Sequence, residues 1–131
     1  MEKHLRTAGL GLVIVFFLLG GIAHFAYAAA EISIIPPYVP FAHEVNTLVG
    51  LLELLGALGL MIAKFRRAAG VGLILLTIAV TPANVFMLQH AERYDVAGWL
   101  LVARLPLQAV LILLIAWSSR AMTRLLPPDV R

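Results

Sequence analysis

The chain has 131 residues, of which 62% are hydrophobic and 13% charged, with a net charge of +3, a mean hydropathy of +0.97 and no cysteine. A soluble domain is about 45–50% apolar and about 25% charged, so this composition is built for a membrane solvent. At ~20 residues per crossing the length allows roughly four spans in one domain and excludes a separate soluble catalytic domain. The missing cysteines exclude disulfides, thiol redox chemistry, iron–sulfur ligation and thiolate zinc sites.

The first span is expected over about residues 7–30, after Lys3 and Arg6. Tyr27-Ala28-Ala29-Ala30 resembles a signal-peptide cleavage site, but the apolar run is longer than a signal h-region, so an uncleaved helix is predicted. The loop from Glu31 to Asn46 contains Ile35-Pro36-Pro37-Tyr38-Val39-Pro40. Its prolines favour an extended or polyproline segment, and its apolar residues suggest that it lies on the membrane surface or folds over the bundle mouth. The second span is expected at about 47–63, ended by Lys64-Phe65-Arg66-Arg67. The third is expected at about 68–88, with Pro82 near its end, followed by a polar connector from Gln89 to Asp95. The fourth is expected at about 96–118, with Pro106 inside and a short basic tail behind it. The prediction is an all-α integral membrane four-helix bundle, a single domain over residues 1–131.

The connections are charged asymmetrically. Lys3, Arg6, Lys64, Arg66, Arg67, Arg120, Arg124 and Arg131 fall on one side, and Arg93 alone falls on the other. The positive-inside rule then puts both termini and the middle loop in the cytoplasm of a multi-pass inner-membrane protein. The same rule accounts for the basic balance without a nucleic-acid partner. Tyr27, Tyr38, Tyr94 and Trp99 collect near the outer interface, where an aromatic belt belongs.

Each span carries one strongly polar residue: His24, Glu53, Asn84 and Arg104. Threaded with alternating direction, all four lie roughly 6–11 Å below the outer edge at 1.5 Å per residue. Glu53 and Arg104 are expected to pair, because either charge alone costs on the order of 3 kcal/mol at mid-span and guanidinium suits carboxylate. Gln108, one turn from Arg104, can extend that network, and Asn84 sits just after the helix interruption expected at Pro82. Gly20, Gly21, Gly50, Gly56 and Ala57 allow close helix approach around the layer. Such a layer suits a ligand or proton site, and a buried ion pair can also do no more than fix helix register. His43, Glu44 and His90 read as solvated loop residues. No H-x-x-H or H-E-x-x-H spacing supports a metal, and no P-loop, G-x-G-x-x-G or nucleophile elbow supports catalysis by this chain alone.

The chain resembles the DoxX-like family of small four-helix membrane proteins. The likeness rests on Gly21-Ile22-Ala23-His24-Phe25, Ile35-Pro36-Pro37-Tyr38-Val39-Pro40, Gly50 with Glu53 and Gly56, Arg66-Arg67-Ala68-Ala69-Gly70, Pro82-Ala83-Asn84-Val85-Phe86-Met87 and Arg104-Leu105-Pro106-Leu107-Gln108. These cover about residues 20 to 118. The resemblance implies a membrane partner of an oxidoreductase complex, since the family is named for subunits similar to those of thiosulfate:quinone oxidoreductase. More distant relatives resemble a chaperone for acetylcholine-receptor assembly.

Two functions are therefore expected. One is a subunit or accessory protein of a membrane complex, with an outer-leaflet polar pocket formed by His24, Glu53, Asn84, Arg104 and Gln108 that binds a small amphiphile such as a quinone or lipid. The other is a non-catalytic assembly factor for another membrane protein. Membrane lipids are partners in either case, and so small a bundle leaves enough apolar surface for a homodimer. Transport ranks last, because the inner half of the spans offers only Leu, Val, Ile and Gly along a path.

Overall fold

A computed structural model describes residues 1–121 of the protein; Arg124 and Arg131, counted above among the flanking cations, lie outside the described residues. The elements are α1 (Glu2–Ala26), α2 (Ala28–Ser33), α3 (Ala42–Met61), α4 (Arg66–Ala79), α5 (Thr81–Gln89) and α6 (Gly98–Ser119), with a 3-10 turn at Ala91–Arg93. No strand occurs among the described residues. Four helical stretches are long and apolar enough to cross a membrane: Glu2–Ala26, Ala42–Met61, Arg66–Gln89 and Gly98–Ser119.

The element boundaries depart from the hydropathy reading where backbone chemistry intervenes. The first helix stops at Ala26, four residues short of the expected end, because Tyr27 leaves the helical region before α2 begins at Ala28. The prolines of the loop shape only Pro36 to Pro40; α3 begins at Ala42, five residues earlier than expected. Its start is made by Phe41, whose φ of 56° is left-handed, a strained value for a bulky residue. The third span is two helices, α4 and α5, parted at Val80, and Pro82 sits in the first turn of α5 where its missing N–H is tolerated.

The four long stretches run alternately up and down. At one end lie both connections α1–α3 and α5–α6, tied by Tyr94 Oη donating to Ser33 O at 3.0 Å. At the other end lie the start of α1, the α3–α4 link and the end of α6. Helix α1 packs on α3 and α6, and α4 packs on the same two helices. Val13, Phe17, Ala57, Leu60, Leu73 and Ile115 form the buried core between them.

Each neighbouring pair meets through small residues. Gly9 faces Trp117 and Leu114, Gly21 faces Leu54 and Gly50 O, Gly56 faces Leu73, Gly59 faces Ala69, and Gly70 faces Ser119. Lipid supplies no hydrophobic drive between helices, so close backbone approach and dispersion must hold them. The outward faces are as apolar as the core: Leu12, Leu19, Leu55, Leu75 and Leu113 are all more than 60% exposed. Surface of that kind belongs against hydrocarbon.

Candidate functional site

The buried face of α3 reads Asn46, Gly50, Glu53, Ala57, Leu60, a 4-3-4-3 spacing that forms one stripe. Asn46 and Glu53 are therefore two turns apart on the same line, with Gly50 leaving space between them. That space is filled from α1: a Cβ on Gly50 would lie 2.8 Å from His24 Cβ. Gly20 in turn makes room for Glu53, whose Oε2 would lie 2.7 Å from a Cβ there.

His24 is fixed at two points. Its Nδ1–H donates to Asn46 Oδ1 at 2.7 Å, and Asn46 Nδ2 donates to His24 O at 2.8 Å. The second bond orients the amide, because a carbonyl oxygen only accepts; the amide oxygen then requires the proton on Nδ1. Nε2 is left facing Glu53 Oε2 at 3.8 Å, with the two side chains 16% and 12% exposed. Glu53 Oε2 is buried and has no hydrogen-bond partner. The imidazole and carboxyl group are thus held face to face just beyond hydrogen-bond length.

A second polar cluster lies between α4–α5 and α6. Gln108 Oε1 accepts from Asn84 Nδ2 at 2.7 Å, and Gln108 Nε2 donates to Thr77 O at 2.8 Å and to Thr81 Oγ1. Thr81 Oγ1 also donates to Thr77 O at 3.3 Å. The helix interruption before Pro82 leaves the carbonyl of Thr77 open to side chains, and Gln108 and Thr81 fill it.

The expected Glu53–Arg104 ion pair is not formed. Arg6 pairs with Glu2 and Arg93 with Glu92, and the group that faces Glu53 is the His24 imidazole. Arg104 is exposed on α6, and its Nη1 lies 3.3 Å from Met87 Sδ. The reason is rotational: α6 buries Leu101, Gln108 and Ile115, and Arg104 lies about 40° around the helix from Gln108. A narrow seam can take one and leave the other out. The single polar layer is therefore two clusters and an outward-facing guanidinium.

Asn46 is the member of the site that the sequence reading placed in a loop. Its signal was available, since Asn46 continues the Gly50–Glu53–Ala57 stripe one turn toward the N-terminus. His43 and Glu44 are exposed, as loop residues were expected to be, though both fall in the first turn of α3. His90 is half-buried, its Nδ1 2.9 Å from Phe86 O and its ring 4.2 Å from that of Phe86.

At the same end of the bundle a cleft of about 500 Å³ opens between the proline-rich loop and the α4–α5 break. Tyr38, Ile78, Thr81, Pro82, Val85, Phe86 and Gln89 line it. Thr81 belongs both to this cleft and to the Gln108 cluster. His24 and Glu53 do not line it.

The fold and these clusters define a helical protein with four membrane-length apolar helices and paired intramembrane polar groups. Residues 13–120 match a family described as a domain of unknown function, DUF8561, and the chain belongs to that family. No curated protein and no solved structure matches the chain.

Proposed function

We propose that the protein is a DoxX-like accessory subunit of an inner-membrane complex, and that its loop-covered end binds a small amphiphile of the quinone or lipid class. The observation that carries this reading is the cleft beneath Tyr38. Its volume of about 500 Å³ and largely apolar lining suit a small ligand, with Thr81 and Gln89 as its polar contacts. Thr81 is held by Gln108, and Gln108 by Asn84, so a headgroup meeting that hydroxyl meets a prearranged donor–acceptor chain. His24 and Glu53 lock the opposite α1–α3 half of the bundle. Both termini are assigned to the cytoplasm, because Lys3, Arg6, Lys64, Arg66, Arg67 and Arg120 share their end and only Arg93 marks the loop end.

Photoactivatable quinone and lipid analogues, applied to the full chain in native membranes, test this reading. Crosslinks at Tyr38 and residues 78–89 are expected, reduced severalfold in Thr81→Val and in Phe86→Ala. Crosslinks centred on α1 and α3 around His24, or none above background, would sink it.

Arg104 favours a second reading, that of an assembly partner. Its guanidinium is exposed beside the buried seam of α6, against Met87 Sδ and about 9 Å along the helix from its start. A charge so placed costs on the order of 3 kcal/mol unless an acidic group or headgroup meets it. A carboxylate on another membrane protein, or on a second copy, supplies that group. Stoichiometric co-purification lost in Arg104→Leu would support this reading, and an unchanged set of partners would count against it.

A further inference from the structure

The opposite end of the bundle carries a feature that neither reading uses. A cleft of about 780 Å³ opens where the start of α1, the α3–α4 link and the end of α6 meet. Among the described residues, Lys3, Arg6, Lys64, Arg66 and Arg67 line it with Glu2 as their one carboxylate, and Arg120 stands at its edge. Interface cations are expected on topological grounds alone. Their convergence on one concavity is not, because like charges gather in a cleft only against mutual repulsion.

Two buried donors on residues that line the cleft lack acceptors. Ser118 lines it, is 3% exposed, and its hydroxyl has no hydrogen-bond partner. The next residue shows the usual alternative, with Ser119 Oγ donating to Ile115 O at 2.5 Å. Arg6 Nε is also buried without a partner. The Arg6 guanidinium is nonetheless held in place, by Glu2 Oε1 at 2.6 Å from Nη2 and by the Trp117 ring 5.8 Å from Cζ. Arg66 is positioned likewise, through Nε donating to Leu60 O at 2.9 Å, which leaves its terminal nitrogens for another acceptor. Buried donors in folded proteins nearly always find acceptors.

We infer that this cleft is a binding site for a phosphate group. A tetrahedral oxyanion offers acceptors to a hydroxyl and to several guanidinium N–H groups at once, and it neutralises the gathered charge. An anionic phospholipid headgroup and a soluble phosphate both present that chemistry, and basic pockets between membrane helices commonly take the former.

The test is native mass spectrometry of the full-length protein in detergent. Dioleoyl-phosphatidylglycerol is titrated against dioleoyl-phosphatidylcholine, and inorganic phosphate is titrated separately with thermal stability as the readout. At least a tenfold preference for phosphatidylglycerol is expected, falling severalfold in Ser118→Ala and further in Arg6→Gln/Arg66→Gln. Lipid retention without a phosphate response identifies the headgroup as the source, and a phosphate response identifies a soluble ligand. Because Ser118→Ala leaves every charge in place, it separates a built site from diffuse attraction. A preference below twofold with no phosphate response overturns the inference, and so does an undiminished preference in Ser118→Ala.

Discussion

His24 Nε2 and Glu53 Oε2 face each other at 3.8 Å across the α1–α3 interface, while Arg104 stands outside the bundle against Met87. The group facing Glu53 is thus an imidazole on the first helix and not a guanidinium on the last. A double-mutant cycle measures the difference. His24→Ala combined with Glu53→Ala should show a coupling of about 1 kcal/mol, whereas Glu53→Ala combined with Arg104→Ala should be additive to within about 0.5 kcal/mol. Unfolding in mixed micelles supplies the energies, and a larger coupling for the second pair would contradict the geometry.

The glycines make a contrasting set. A Cβ on Gly21 would fall 2.6 Å from Leu54 Cγ and 3.1 Å from Gly50 O, with backbone on one side that cannot turn away. Gly21→Ala should therefore destabilise by about 1–3 kcal/mol. Gly11 and Gly72 meet nothing within 4 Å. Gly11→Ala and Gly72→Ala should each stabilise by about 0.5–1 kcal/mol through helix propensity, and thermal denaturation in detergent will rank all three.

Gln108 joins three elements, so its removal should be felt beyond its own helix. Gln108→Leu keeps the volume and leaves Asn84 Nδ2 without its partner, at a cost of about 1–2 kcal/mol. Thr77→Val loses one bond to Leu73 O within the same helix and should cost less than about 1 kcal/mol. Equal effects would mean that the cluster between α5 and α6 contributes nothing as a unit.

Tyr94 Oη donating to Ser33 O is a side-chain bond that joins the end of α2 to the α5–α6 connection. Tyr94→Phe should lower stability by no more than about 1 kcal/mol. It should nevertheless raise amide exchange over residues 28–41 severalfold, because it frees that loop from the α5–α6 connection. Exchange unchanged in that segment would show that the proline run, not the tyrosine, holds it.

The absence of cysteine makes the orientation directly measurable, since any introduced thiol is the only one in the chain. Lys64→Cys should react with an impermeant maleimide only from the cytoplasmic side, and Asp95→Cys only from the other. Reversed labelling would turn the proposed topology over, with the phosphate cleft then facing outward.

Much of this protein was legible in one dimension. The four apolar stretches, the loop end marked by Pro36, Pro37 and Pro40, and the collection of cations at the other end follow from hydropathy and charge counted along the chain. Those quantities add residue by residue and need no partner. Depth is of the same kind, because a helix advances a fixed 1.5 Å per residue. Which side chains meet at a given depth is a different quantity. It depends on how each helix is rotated against its neighbours, at about 100° per residue, and on where the backbone departs from the helix. Tyr27, Phe41 and Val80 make those departures, and Gly20 and Gly50 set how closely α1 and α3 approach. Tertiary packing therefore decided that Glu53 meets His24, that Asn46 completes their site, that Gln108 turns inward and that Arg104 turns out.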